Sequence, residues 1–119
     1  MVKGVTILCN LYTKTWDERL QNPELIKFFL TNTLLNLGLT PIYDSLVVKV
    51  FPVQNSGGFG ITGTIILTES HLCCHTWAEY GFCRIELSSC KEISVDKFKE
   101  MVKAFFPESQ LDVKTIKWR

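Results

Sequence analysis

Between Thr40 and Ser88 four extended segments follow one another with only turn-forming residues between them, and this run narrows the choice of fold most. Thr40 to Val53 reads as a strand broken near Asp44, with Leu46, Val48 and Val50 alternating against Val47, Lys49 and Phe51. Gln54 to Gly58 is a loop, and Ile61 to Thr68 is rich enough in Ile and Thr to sit centrally in a sheet. Leu72 to Trp77 follows, then a turn at Glu79-Tyr80-Gly81, then Phe82 to Ser88. Strands joined this closely pair antiparallel, because a parallel neighbour needs a crossover of about a dozen residues or more.

The flanks supply two helices. Val5 to Tyr12 is a strand with Val5, Ile7, Cys9 and Leu11 on one face, and Thr13 to Asn22 is a polar loop. Asn22 and Pro23 suit a helix start, Leu25, Ile26, Phe29, Leu30, Thr33, Leu34 and Leu37 recur at helical spacing, and Gly38 ends the helix. Ser94 caps a second helix with Val95, Phe98, Met101, Val102 and Phe105 on its apolar face, Pro107 ends it, and Leu111 to Trp118 is a last strand. This order predicts an α+β two-layer sandwich: one antiparallel sheet with two helices packed on one face. At 119 residues and 46% hydrophobic, residues 1–119 form a single domain with its own core.

Charge excludes some partners. Thirteen basic against twelve acidic residues leave a net charge of +1, which gives no footprint for nucleic acid or an anionic membrane. Lys114, Lys117 and Arg119 read as a solvated face, and no apolar run reaches the roughly 18 residues of a membrane span. Five cysteines (Cys9, Cys73, Cys74, Cys83 and Cys90), an odd number without a signal peptide, predict reduced thiols and a cytoplasmic protein. Cys73 and Cys74, adjacent on a strand, point to opposite faces and chelate one ion poorly, so no metal is expected. No glycine-rich loop opens a helix, which leaves a nucleotide-binding Rossmann or P-loop site without support.

The chemistry gathers in Glu69-Ser70-His71-Leu72-Cys73-Cys74-His75-Thr76-Trp77-Ala78-Glu79-Tyr80-Gly81, with Cys90 beyond it. On a strand Leu72, Cys74 and Thr76 share one face, while His71, Cys73, His75 and Trp77 share the other. A turn or bulge near Ser70 would bring its hydroxyl beside His75; spacing leaves that open. A hydrolytic Ser70–His75–Glu79 triad can be drawn, but the Gly-x-Ser-x-Gly elbow is missing and nothing marks an oxyanion hole. The other possibility is self-directed. Ser70 can attack the carbonyl carbon of Glu69, turning the amide into an ester. Elimination then frees the Glu69 carboxylate, and hydrolysis of the resulting dehydroalanine leaves a ketone at a new amino terminus. Such a pyruvoyl group forms a Schiff base with an amine and acts as an electron sink.

Glu69-Ser70-His71-Leu72, His75-Thr76-Trp77, Glu79-Tyr80-Gly81 and Cys90 together resemble the short, prokaryotic S-adenosylmethionine decarboxylase proenzymes, and the likeness runs from the first strand to the last. The resemblance implies cleavage between Glu69 and Ser70 into a β chain (residues 1–69) and an α chain (residues 70–119) that begins with pyruvoyl. It implies decarboxylation of S-adenosylmethionine for spermidine synthesis, with no metal. Ser70 then resembles the pyruvoyl precursor, His75 the histidine that takes the Ser70 α-proton, and Cys90 the thiol that returns a proton to the substrate. Thr62 stands where the family carries a serine that assists processing. Glu79 resembles the carboxylate that grips the substrate ribose, with Phe51 and Trp77 as aromatic contacts for adenine or sulfonium. A homodimer of cleaved protomers, both lining each site, is also implied. Two other readings remain open at this point: a pyruvoyl decarboxylase of ornithine or arginine, and an uncleaved relative that binds a nucleoside or regulates a partner.

Overall fold

Alternation along the strands decides which side of the sheet meets the helices. In the computed structural model, which describes residues 3–118, six strands form one sheet: β1 (Val5–Tyr12), β2 (Val47–Pro52), β3 (Phe59–Leu67), β4 (Ser70–Trp77), β5 (Phe82–Ser89) and β6 (Gln110–Lys117). Their order is β2-β3-β4-β5-β1-β6, and every neighbouring pair is antiparallel. The helices are α1 (Pro23–Asn36) and α2 (Val95–Phe105). The two-layer α+β sandwich expected from the element order is the one observed.

Ile7, Cys9 and Leu11 of β1, Ile61 and Ile65 of β3, Leu72 and Cys74 of β4, and Cys83, Ile85 and Leu87 of β5 are all buried on the helix side. Against them α1 brings Ile26, Phe29, Leu30 and Leu34, and α2 brings Phe98 and Val102. Fully burying a side chain of this size contributes roughly 1.5–3 kcal/mol, so this layer dominates stability. Phe29 meets the rings of Phe105 and Phe106 edge-on at 5.3 and 5.5 Å, joining the two helices. A Cβ at Gly63 would press on Leu30 and Ile26, so the glycine lets α1 lie close over β3.

The helix ends follow the sequence. Asn22 accepts a hydrogen bond from the Leu25 amide, Ser94 accepts one from Lys97, and Gly38 takes a left-handed φ of +74°. One difference is local. The break near Asp44 is a full interruption: Pro41 bridges to Leu67, Tyr43–Ser45 form a 3-10 turn, and β2 begins only at Val47. Ser45 causes it, its hydroxyl bonding the Ile42 carbonyl at 2.6 Å and accepting from the Ile66 amide at 2.8 Å. As an edge strand, β2 buries little; only Val48 is half-buried. Lys114 and Lys117 are exposed on β6 as expected, and Arg119 lies outside the described residues. No helix among the described residues is long and apolar enough to cross a membrane.

Candidate active site

Ser70 opens β4 directly after the two-residue turn Thr68–Glu69. Its backbone pairs with Leu67 on one side and Ser89 on the other, so no bulge displaces it. Two clamps hold the residue before it. The Glu69 carboxylate accepts from the Thr40 amide at 3.0 Å and the Thr40 hydroxyl at 3.2 Å. The Glu69 carbonyl accepts from the Cys90 amide at 3.0 Å. The β4–β5 pairing thus carries Cys90 across a gap of twenty residues to the Glu69-Ser70 bond. Cys90 is exposed there.

The bulge that would set Ser70 beside His75 is absent. Five residues of unbroken strand separate the two, which at about 3.3 Å per residue is roughly 16 Å. The Ser70 hydroxyl instead lies 3.1 Å from Nδ1 of His71. The drawn Ser70–His75–Glu79 triad therefore has no geometry within one chain.

A second cluster surrounds His75 on the face of the sheet away from the helices. Thr62 is its direct cross-strand partner, and the Thr62 hydroxyl lies 2.5 Å from His75 Nδ1. Phe51 stacks on the imidazole at 5.6 Å, and Trp77 meets it edge-on at 4.1 Å. When Nδ1–H donates to the threonine oxygen, Nε2 is left as a free acceptor with its ring plane fixed by both aromatics. Burial holds the imidazole below its usual range, while the Glu79 carboxylate in the 3-10 turn Ala78–Tyr80 opposes that shift. Gly81 closes this turn at φ +62°, where a Cβ would run into the carbonyls of Thr13 and Lys14. Thr62, His75, Phe51, Trp77 and Glu79 are thus brought together, and Glu69, Ser70 and Cys90 are brought together elsewhere.

The aromatic strip continues from Trp77 to Phe82 and on to Tyr12, each step 5.3 Å between ring centres. Cys73 shares this open face and approaches Glu86 at 3.9 Å; burial, then the Glu86 charge, pushes its thiol up to about 11. Cys74 points into the core, as adjacent strand residues must. Among the described residues no group of three or more His, Cys, Asp or Glu is placed to hold a metal ion. Sequence reasoning missed His71 and Thr40. His71 stood inside the motif and carried no assignment, and nothing local links Thr40 to a residue 29 positions away.

Residues 6–118 match the family model described as S-adenosylmethionine decarboxylase. A relative from Archaeoglobus fulgidus is 31% identical over 111 residues, covering 92% of each chain. One from Fervidobacterium nodosum is 33% identical over 82 residues, 69% of this chain and 54% of that protein. One from Thermodesulfovibrio yellowstonii is 50% identical over 71 residues, 60% of this chain and 52% of that protein. All three are named S-adenosylmethionine decarboxylase proenzyme, and the chain spans about half the length of the last two. The solved adenosylmethionine decarboxylase of Aquifex aeolicus superposes with a TM-score of 0.72 over 95% of this chain and 88% of that one, at 23% identity, and so shares the fold. On the family match and the Archaeoglobus relative, the chain belongs to the S-adenosylmethionine decarboxylase family.

Proposed function

We propose that the chain cuts itself between Glu69 and Ser70 and that the product decarboxylates S-adenosylmethionine, supplying aminopropyl groups for spermidine. The observation that carries this reading is the 3.0 Å hydrogen bond from the Cys90 amide to the Glu69 carbonyl. It polarises the bond to be cut, holds the oxygen where negative charge develops during serine attack, and sets the backbone of residue 90 beside the same bond. The cut falls in a turn, so strand pairing to Leu67 and Ser89 keeps residue 70 in place after the chain is broken. These residues fit a pyruvoyl group at position 70, which supplies an amine-reactive ketone and an electron sink.

Each side chain then has a task. His75, through Nε2, takes the Ser70 α-proton so that the ester eliminates, and Thr62 holds the ring that does so. Cys90 returns a proton to the substrate after carbon dioxide leaves, acting as a general acid. Glu79 offers two acceptors for a ribose diol, and Phe51 and Trp77 offer faces for adenine or a sulfonium. That carboxylate beside two aromatics favours S-adenosylmethionine over ornithine or arginine, which lack a ribose.

His75 and Ser70 lie too far apart in one chain to react, so two copies complete each other. Their uncovered sheet faces stack; the Ser70 hydroxyl, turned to His71 at the end of that face, and Cys90 of one copy are served by His75 with Thr62 of the other. The aromatic strip, with Tyr12 47% and Phe51 38% exposed, supports burial of this face. Facing sheets pack about 10 Å apart, within side-chain reach.

Intact-mass measurement of the purified protein tests the reading. Two fragments are expected, the one from residue 70 onward carrying pyruvoyl, with carbon dioxide released from labelled S-adenosylmethionine. Release from ornithine or arginine instead would reassign the substrate, and one full-length mass after long incubation would favour an uncleaved binding protein. Cys90→Ala should still process but turn over about 100-fold more slowly or worse, as loss of a proton donor does; normal turnover removes Cys90 from the chemistry. The pH profile of processing follows from the lowered pKa of His75. The neutral ring is the competent base, so the elimination rate stays level above the ordinary histidine value of about 6.5 and falls only at lower pH. Time courses of fragment formation check this, and a rate that rises on acidification contradicts it.

A further inference from the structure

We infer that His71 is the base that starts self-cleavage, taking the hydroxyl proton of Ser70 as that oxygen attacks the Glu69 carbonyl. The inference rests on the maturation reading above and supplies the residue for its first step. A serine hydroxyl is a weak nucleophile unless a base stands within hydrogen-bond reach. With its own proton on Nε2, His71 accepts from Ser70 through Nδ1, 3.1 Å from the hydroxyl oxygen. The neighbouring charged groups are engaged elsewhere: the Glu69 carboxylate with Thr40, and the Lys91 ammonium with the Gly38 carbonyl at 2.8 Å. His75 is bound to Thr62, roughly 16 Å along the strand.

The step balances without a co-reactant. The Ser70 oxygen bonds to the Glu69 carbonyl carbon, closing a five-membered ring, and its proton passes to Nδ1 of His71. The carbonyl oxygen becomes an anion facing the Cys90 amide. Collapse of that anion breaks the bond from Glu69 carbon to Ser70 nitrogen, and the imidazolium returns its proton to the departing nitrogen. The product is an ester of unchanged mass. His71 thus acts before the ester and His75 after it.

Hydroxylamine separates the two steps because it cleaves esters and spares amides. The full chain is purified as wild type, His71→Ala, His71→Gln and His75→Ala, and fragments are followed by mass with and without hydroxylamine. His71 is exposed, so both His71 variants should melt with the wild type. His75→Ala should accumulate ester that hydroxylamine cuts between residues 69 and 70. Both His71 variants should form ester about 100-fold to 10,000-fold more slowly, and added imidazole should speed His71→Ala. Ester formation in His71→Ala at the wild-type rate overturns the inference, as does a slow variant that imidazole fails to rescue. A wild-type chain that itself stays whole overturns the maturation reading beneath it.

Discussion

Ser70→Ala leaves the chain as one full-length species that releases no carbon dioxide from S-adenosylmethionine. Every step of the proposed maturation passes through the hydroxyl oxygen of residue 70. Alanine offers nothing to attack the Glu69 carbonyl, no ester to eliminate and no route to a ketone. The expected loss is total. It is also separable from unfolding. Among the described residues the hydroxyl hydrogen-bonds to His71, which is exposed, and removing such a hydrogen bond costs about 1 kcal/mol or less. The strand pairing of residue 70 with Leu67 and Ser89 is backbone and survives the change. The variant should therefore keep the wild-type melting temperature while giving one mass where the wild type gives two. A Ser70→Ala chain that still parts between residues 69 and 70 would remove the hydroxyl from the mechanism.

The elements were readable where one local rule decides them. In β1 Ile7, Cys9 and Leu11 alternate with Thr6, Leu8, Asn10 and Tyr12, which marks the buried face, and in α1 Asn22, Pro23 and Gly38 mark both ends. The same alternation placed His75 and Trp77 opposite Cys74 and Thr76. Long-range pairing was not readable. The register Ser70↔Ser89 delivers the Cys90 amide to Glu69, and Thr62↔His75 sets a hydroxyl on an imidazole. Both depend on which hydrogen bonds the sheet chooses over gaps of 13 residues or more. The distance from Ser70 to His75 shows the limit well. The rise of a strand supplies it once the strand is known to be unbroken, and only the observed pairing shows that it is. His71 escaped notice because strand alternation assigns it the face opposite Ser70. At the first residue after a turn, however, adjacent side chains still meet.

Mixing two inactive chains should restore cleavage. Ser70→Ala lacks the nucleophile but keeps His75 and Thr62; His75→Ala lacks the base but keeps Ser70 and Cys90. Alone, the first stays whole and the second stalls at the ester, so neither produces a pyruvoyl fragment. When the two are co-expressed with distinguishable tags, a mixed pair holds one complete site: Ser70 and Cys90 from the His75→Ala chain, His75 and Thr62 from its partner. The opposite site lacks both groups. Random pairing puts about half of the His75→Ala chains into mixed pairs, which sets the ceiling on the pyruvoyl fragment recovered from them. All of that fragment should carry the tag of the His75→Ala chain. The physical basis is the roughly 16 Å of unbroken strand between Ser70 and His75, which no rotamer of either side chain spans. A mixture that stays inert while wild type cleaves would mean that His75 reaches Ser70 within its own chain, and the two-copy site would be wrong.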